Sequence, residues 1–254
     1  MFEDQPGFRV FGTYSGQAFP ETLLEGLTNR LQGAAPEQWA RVEVYVNTQR
    51  MHRRLAELFL QGPARLMPKF HLVTDLAHDP LLTDLPMPVP TLKRRLEIAQ
   101  LVRKLIQRVE GLAPASAVFG LANSLADLMD EMQGEGIAPD VIEGLDISDF
   151  SGHWERALQF ITIVQRYFEG GEAPDKEARQ RASVLALTQR WQESPPDHPI
   201  LVAGSTGSRG TTFHLMKAVA GLPQGAVILP GFDFDMPRRV WAQLSDPKTS
   251  EDHP

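Results

Sequence analysis

The stretch Ile200-Leu-Val-Ala-Gly-Ser-Thr-Gly-Ser-Arg-Gly-Thr-Thr212 decides the fold that the sequence predicts. Four apolar residues lead into a turn of small residues, and a helical pattern then runs from Leu215 to Ala220. A short apolar run that is bounded by turn residues and followed by a helix is typical of a buried strand in a parallel sheet. The segment therefore predicts a strand, a turn and a helix in succession.

Four further apolar runs have the composition of strands. They lie at residues 8–14, 41–47, 69–73 and 226–229. The first run is followed by leucines at helical spacing from Leu23 to Leu31, and the second by Leu55, Leu58 and Phe59. Because strands that alternate with helices form parallel sheets, we predict an α/β fold: a parallel sheet of about five strands with flanking helices.

A long helical segment interrupts this pattern after a proline-rich connection. Prolines at positions 80, 86, 88 and 90 exclude a helix or a central strand, so residues 77–90 are predicted to form a hinge-like connection. Four apolar faces at helical spacing follow, marked by Leu92, Leu96, Ala99, Val102 and Ile106; by Val118, Leu121, Leu125 and Leu128; by Trp154, Leu158, Ile161, Val164, Tyr167 and Phe168; and by Val184, Leu187 and Trp191. We therefore expect a discontinuous α/β core at 1–90 and 195–244, an all-helical insertion subdomain at 91–194 and a flexible tail at 245–254.

Composition excludes several classes of protein. The 254 residues include no cysteine, which excludes disulfide scaffolds, thiolate metal sites, iron–sulfur clusters and cysteine nucleophiles. No apolar run approaches the ~20 residues of a membrane helix, and the acidic N-terminus lacks an export signal, so we expect a cytoplasmic protein without membrane contact. The formal net charge of −7 argues against indiscriminate binding of polyanions, although local basic patches are compatible with it.

The turn at residues 204–212 permits two catalytic interpretations. Its backbone N–H groups could hold a phosphate, but Thr211 stands where a Walker A loop has its lysine. Ser208 could instead lie on a nucleophile elbow, with His214 as a candidate partner. A stand-alone small-molecule enzyme that uses this turn as a phosphate site or serine elbow therefore stays open as an alternative, beside a purely structural turn.

The titratable residues predict no metal site but do form basic clusters. The seven histidines are scattered without a His-x-x-x-His pair, so we expect no metal ion or other cofactor in this chain. Asp233 and Asp235 could touch a cation, but such residues are also common in solvated loops. Arginines and lysines that could bind phosphate form two clusters, Arg50, Arg53 and Arg54, and Lys93, Arg94 and Arg95. Acidic neighbours make solvated helix faces the competing interpretation.

Five segments together carry a resemblance to a known family. They are Val46-Asn-Thr-Gln-Arg50, Lys93-Arg-Arg-Leu96, His153-Trp-Glu-Arg-Ala-Leu158, Pro196-Asp-His-Pro-Ile-Leu-Val-Ala-Gly-Ser-Thr-Gly-Ser208 and Gly225-Ala-Val-Ile-Leu-Pro-Gly231. The whole arrangement resembles the first helicase domain of the UvrD/RecB-type superfamily 1, a RecA-like core that a helical subdomain interrupts. It is more closely similar to the N-terminal region of the AddB family, the helicase–nuclease subunits of bacterial double-strand break repair, in their alphaproteobacterial form. The similarity extends over essentially the whole chain.

The resemblance implies a nucleotide site that has lost its catalytic groups. ATP hydrolysis needs a phosphate-binding lysine, a metal-binding Asp and a residue that orients water. Here the turn after the first strand has no lysine, Gly204-Ser205 stands in place of an Asp-Glu pair, and Leu229-Pro-Gly-Phe-Asp233 in place of a Gly-Asp-x-x-Gln segment. We therefore expect degenerate Walker motifs without a catalytic residue, at Gly12, Gly16, Gly204, Ser205 and Asp233.

The same resemblance implies a scaffold role in DNA double-strand break repair and recombination. The implied partners are an AddA-type helicase–nuclease subunit and DNA ends. Candidate DNA contacts are Thr48, Arg50, Arg53 and Thr74, for which surface solvation or helix capping is the competing interpretation. The family's nuclease and iron–sulfur parts follow much later in the sequence, so we expect a piece of a longer helicase/exodeoxyribonuclease subunit, inactive by itself as ATPase and nuclease. A protein-interaction module without DNA contact is a further alternative.

Overall fold

The structure is a computed structural model that describes residues 1–2, 7–78, 84–109, 111–138, 141 and 173–244. The helix predicted at residues 154–168 and the tail predicted at 245–254 lie outside the described residues. The chain divides into two compact units. The first consists of residues 1–72, 196–206 and the chain from 219 onward, and the second of residues 73–195 and 207–218. Within the described ranges, no helix combines the length and the apolar character needed to cross a membrane.

The first unit contains a five-stranded sheet in which all neighbouring strands are parallel. The order of the strands is β1-β5-β4-β2-β3. Their bounds are β1 (Val10–Tyr14), β2 (Glu43–Val46), β3 (Lys69–Leu72), β4 (Ile200–Ala203) and β5 (Gly225–Phe232). The predicted α/β class, with about five parallel strands and flanking helices, is confirmed.

Strand β4 lies at the centre of the sheet and is buried on both faces. Its side chains are between 0% and 2% exposed. Strands β2 and β5 pair with its two edges, so that Ile200 lies beside Glu43 on one side and Gly225 on the other. A central parallel strand requires a continuous apolar run rather than an alternating one. The apolar run that predicts the fold therefore forms its central strand.

Strand β5 continues to Phe232, past the predicted end at residue 229. The sequence pattern ends the strand before Pro230 because proline cannot donate a hydrogen bond to a sheet ladder. In the structure the pairing of β5 with β1 shifts between Gly12 and Tyr14. An irregularity of this kind tolerates proline, which explains the longer strand.

Three helices build the core of the first unit on one face of the sheet. They are α1 (Phe19–Arg30), α2 (Pro36–Arg41) and α3 (Gln49–Gln61). The predicted core residues Leu23 and Leu27 of α1 and Leu55 of α3 are buried in one cluster with Val44 and Leu201 of the sheet. Burial of each such side chain stabilises the fold by roughly 1.5–3 kcal/mol, which is enough to anchor the helices on the sheet.

The regular elements of the second unit are helices in the residues that the structure describes. Its described α-helices are α4 (Thr91–Arg108), α5 (Val118–Glu135), α6 (Lys176–Glu193) and α7 (Gly210–Ala220). The last two residues of α7 belong to the first unit. A further helix of the first unit, α8 (Arg238–Leu244), follows β5. Helices α4 and α5 pack on each other through a separate apolar cluster that includes Ile98, Val102 and Leu125.

The helix predicted from Leu92 onward is confirmed as α4, but two residues of its predicted apolar face, Leu92 and Leu96, are exposed. Leu92 and Leu96 are 70% and 47% exposed, whereas Ile98 and Val102 are buried. The buried face of α4 also includes Arg94. Because the ion pairs of this arginine turn it inward, the buried face is displaced from the one that apolar residues alone indicate.

Buried polar side chains of α6 hold the proline-rich connection between β3 and α4. The guanidinium of Arg179 is 3% exposed and donates hydrogen bonds to the carbonyl oxygens of Ala77, Leu85 and Pro86. The side-chain amide of Gln180 donates to the carbonyl oxygen of Val73 at 2.5 Å. Buried carbonyl groups need donors, so α6 fixes the described ends of this connection within the second unit.

Candidate functional site

The carboxyl ends of parallel strands form the edge at which α/β proteins bind ligands. In the first unit this edge carries Ser15 and Gly16 after β1, Thr48 after β2, Gly204 and Ser205 after β4, and Asp233 after β5. Thr74 follows β3 but is exposed on the 3₁₀-helix Val73–His78 of the second unit. The sheet thus brings most of the predicted site residues to one edge.

The connection between β1 and α1 is too short for a phosphate-binding loop. Only residues 15–18 separate the two elements, whereas a Walker A loop needs a longer glycine-rich segment. Tyr14 and Gln17 close the turn: the Tyr14 N–H donates to Gln17 Oε1 at 3.2 Å, and the Gln17 N–H donates to the Tyr14 carbonyl at 3.3 Å. Gly16 has a φ of +83°, which this turn requires and which glycine adopts without strain. Gly16 therefore serves a tight turn.

An apolar contact occupies the end of β4, at the position of the predicted degenerate motif Gly204-Ser205. Gly204 has a φ of +77°, and a Cβ there would lie 3.2 Å from Phe19 Cε1 and 3.3 Å from Met51 Cε. Phe19 begins α1 and is 8% exposed. The next residue, Pro20, has no N–H to offer a phosphate at this helix N-terminus. The side chains of Phe19 and Met51 thus fill the space beside Gly204.

The other members of the predicted degenerate site also have structural roles. A Cβ on Gly12 would lie 2.7 Å from Phe232 Cβ, so the close approach of β1 and β5 requires glycine there. Ser205 is buried. Asp233 Oδ1 accepts hydrogen bonds from the N–H groups of Asp235 (2.9 Å) and Met236 (3.1 Å) and so caps the turn before α8.

The start of α3 presents a basic face at the same edge. Thr48 is the N-cap of α3, and its Oγ1 accepts a hydrogen bond from the Met51 N–H at 3.2 Å. Arg50 and Arg53 are exposed, lie on one face of the helix at i and i+3, and have no ion-pair partner among the described residues. Arg54 differs, since it binds Glu21 at 2.5 Å and holds the pKa of that carboxyl below its ordinary value.

A carboxylate occupies the N-terminus of α7, whose first three residues are the last three of the turn predicted at 204–212. Within the second unit, Glu135 Oε1 accepts a hydrogen bond from the Gly210 N–H at 2.7 Å, and Thr211 Oγ1 donates to the Gly134 carbonyl at 2.8 Å. Helix N-termini attract anions, and here the chain supplies its own. A phosphate could bind to this turn only by displacing Glu135.

Ser208 does not lie in the geometry of a nucleophile elbow. It is exposed, residues 204–207 separate it from β4, and every positive φ among the described residues belongs to a glycine. His214 Nε2 lies 3.5 Å from Arg181 Nη2, and in the described part of the chain no hydrogen bond joins this histidine to Ser208. The base that a serine nucleophile needs is thus engaged elsewhere.

A buried charged cluster in the described part of the second unit is not predicted from the sequence, because its residues are distant in sequence. Both interpretations of the cluster of Lys93, Arg94 and Arg95 place Arg94 at the surface, yet it is 6% exposed and binds Asp175 at 2.5 Å and Glu97 at 3.0 Å. Beside this pair, burial raises the pKa of Asp130, and the neighbouring charge of Asp175 raises it further. The pair of Arg94 and Asp175 holds α4 to the start of α6 in the second unit.

Neither the models of known protein families nor the curated protein sequences give a match for this chain. In the described residues, no group of three or more His, Asp or Glu side chains has the arrangement of a metal site.

Replacing Glu135 by Ala should destabilise the protein by about 1 kcal/mol, because the N-terminus of α7 loses its charged cap. Urea unfolding would measure the loss. The control is Glu131→Ala, which removes an exposed carboxylate from α5, the helix that carries Glu135. Because the Gly210 N–H is then vacant, millimolar phosphate should also raise the Tm of the Glu135→Ala protein more than that of the wild type. An equal effect of phosphate on both proteins would contradict the assignment.

Replacing Asp130 by Asn should stabilise the protein at neutral pH. Burial and neighbouring carboxylates raise the folded-state pKa of Asp130 above the ordinary value of about 3.9, so its ionised form is unfavourable in the folded protein. The stability that protonation provides is complete below the unfolded-state pKa and is lost as the pH rises through the folded-state value. Thermal unfolding should therefore show a higher Tm for Asp130→Asn at pH 7 and convergence with the wild type in acid.

The control for this prediction is Glu131→Gln, which removes an exposed carboxylate from the adjacent position of α5. Its Tm should follow that of the wild type at every pH. A Tm of Asp130→Asn at or below the wild-type value at pH 7 would show that ionised Asp130 is stabilised by its surroundings instead.

Proposed function

We propose that this chain is the N-terminal, catalytically inactive helicase-like scaffold of an AddB-type subunit. It acts in DNA double-strand break repair and recombination, where it processes DNA ends together with an AddA-type motor subunit. In this proposal the first unit is a RecA-like helicase core and the second a helical insertion subdomain. Two observations support it: the all-parallel sheet interrupted in sequence by a helical unit, and the replacement of catalytic groups at the carboxyl edge of the sheet.

The contact of Phe19 with Gly204 is the observation that carries the inactive role. A motor of this class uses the helix N-terminus after its first strand to hold phosphates, and an acidic pair after its central strand to hold the metal ion and water. Here the helix N-terminus after β1 holds the buried Phe19, which is followed by Pro20. The position after β4 holds Gly204, against which Phe19 packs. Apolar packing of Phe19 against Gly204 fills this position without any ligand.

The basic start of α3 supports a role in DNA contact. Arg50 and Arg53 are exposed and unpaired among the described residues, and they follow the exposed Thr48 at the carboxyl end of β2. Arginines on one helix face can bind successive phosphates of a nucleic-acid strand, while a hydroxyl and main-chain N–H groups position the backbone. This explains how a chain with a net charge of −7 could bind DNA: the contact is local.

The purified chain should not hydrolyse ATP. A coupled assay with magnesium and ATP, in the presence and absence of single-stranded DNA, should give the background rate of buffer. Hydrolysis by the wild type above this background would refute the proposal. Two single variants, Gly204→Ala and Thr211→Ala, locate the site: loss of that hydrolysis in either one would favour a working phosphate site at residues 204–212.

The chain should bind duplex ends with single-stranded tails, and the binding should weaken steeply with salt. Replacing Arg50 and Arg53 by Ala should lower the slope of log K against log salt by about 1 for each phosphate contact removed. Fluorescence anisotropy measures the binding constant and its dependence on salt concentration. Arg41→Ala is the control for loss of an arginine elsewhere on the unit: Arg41 is exposed, binds Asp197 at 2.6 Å and precedes β2, at the amino end of the strands.

Unchanged binding after both arginine substitutions would remove α3 from the DNA interface. A complete lack of DNA binding at low salt would instead favour an interaction module that contacts only protein.

A further inference from the structure

The C-terminal half of α4 presents a basic surface in the second unit. From residue 100 to the end of the helix, the exposed side chains are those of Gln100, Arg103, Lys104, Gln107 and Arg108. All five are hydrogen-bond donors, and three of them are cations. Residues that are three or four apart lie next to each other on a helix, so these side chains form one continuous surface, the α4 basic face.

The basic residues at the start of α4, which the sequence predicts as possible phosphate ligands, already have carboxylate partners. The Lys93 ammonium lies 3.8 Å from a carboxylate oxygen of Glu97, and Arg95 binds Asp127 at 2.8 Å. Arg94 lies between them in sequence and is buried in its own ion pairs. The start of the helix therefore offers little free positive charge to a ligand.

The cations of the α4 basic face have no such partners. Within the described ranges, neither an ion pair nor a hydrogen bond engages the side chains of Arg103, Lys104 and Arg108. A cation in the last turn of a helix interacts favourably with the helix dipole, which accounts for Arg108. Arg103 and Lys104 lie before that turn, where the dipole has little effect. Lys104 and Arg108 also repel each other at i and i+4, and a bound anion would relieve this repulsion.

We propose that the α4 basic face binds the phosphate backbone of DNA. The inference rests on the proposed function, and it adds a DNA contact in the second unit to the one at α3 in the first. Arginine binds phosphate through two parallel N–H groups, lysine binds it as a point charge, and glutamine amides donate to phosphate oxygens. Contacts of this kind position a nucleic acid without reading its base sequence.

The composition of the α4 basic face favours a nucleic acid over a protein partner. Protein interfaces are anchored by large aromatic or apolar side chains, whereas interfaces with DNA are more polar and more positively charged. In this half of the helix the apolar side chains of Val102, Leu105 and Ile106 pack in the cluster with α5. The exposed leucines of α4, Leu92 and Leu96, precede the face. Its exposed positions are left to hydrogen-bond donors.

Fluorescence anisotropy of the whole chain with a labelled duplex end that carries a single-stranded tail tests the proposal. Replacing Arg103 and Lys104 together by Gln keeps good helix formers in place. The double variant should bind roughly tenfold or more weakly at ~50 mM salt, and the slope of log K against log salt should fall by about 2. Thermal unfolding should give it the Tm of the wild type, because both side chains are exposed.

The charge-matched control is Lys93→Gln with Arg95→Gln. It removes two cations from the same helix, but these cations already have carboxylate partners. Its salt slope should stay close to that of the wild type, because a paired cation neutralises little phosphate charge. An equal loss of binding in the two double variants would overturn the proposal, since net charge alone would then explain the effect.

The outcomes separate this inference from the proposed function. Binding that weakens on replacement of Arg50 and Arg53, but not of Arg103 and Lys104, would overturn the α4 contact and leave the DNA role standing. A wild type that binds no DNA would contradict both. Competition by polyglutamate as effective as that by unlabelled DNA of equal charge would also overturn the inference, and would favour an acidic protein partner.

A single cysteine locates the contact, since the chain has none of its own. Gln107→Cys, labelled with benzophenone maleimide, should crosslink to bound DNA on irradiation. The control is Glu131→Cys, an exposed position on the half of α5 where Asp127 and the other carboxylates repel phosphate. Its crosslinking yield should be several times lower. Equal yields from the two positions would show that DNA does not lie on the α4 basic face.

Discussion

The first unit depends on the pairing of β4 along both of its edges. This strand is short and buried on both faces, so water cannot satisfy its backbone groups, and β2 and β5 must do so. The pairing joins parts of the chain that are far apart in sequence into one sheet. It also fixes which loops meet at the carboxyl edge, because all the strands then run in the same direction. The location of the candidate site follows from this one requirement.

At that edge, residue types that are typical of ligand binding serve packing and capping instead. Glycines at Gly12 and Gly204 leave room for aromatic rings, and Thr48 and Asp233 cap the segments that follow them. The N-terminus of α7 is neutralised by Glu135 in the same way. Arg50 and Arg53 remain exposed on one face of α3, at the same edge of the sheet as the exposed loop that carries Asp233 and Asp235. A surface of this kind can bind a charged polymer without holding a small molecule in a cavity.

The sheet and most helices could be predicted from the sequence because their signals are local. The apolar run of β4 and the leucine spacing of α1 each lie within a few residues, and both are confirmed. The site could be predicted only in part. The edge to which Gly204 and Asp233 belong follows from the order of strands, but the ring beside Gly204 and the carboxylate of Glu135 come from distant segments. The burial of Arg94 was missed for the same reason: its partner, Asp175, is recognised only after folding.

The division of each unit into separate stretches of chain has a consequence for how the protein assembles during synthesis. Strand β1 can pair only after β5 has been synthesised, and β2 can pair with β4 only after β4 has been synthesised. The sheet therefore has a high contact order, and long loops must close before its central pairing stabilises it. Until residues 200–232 have left the ribosome, the nascent chain carries apolar strands without their final neighbours. Helices α4 and α5, whose mutual contacts are close in sequence, can form much earlier. The pair of α4 and α5 can therefore form before the sheet, although it follows the first three strands in sequence.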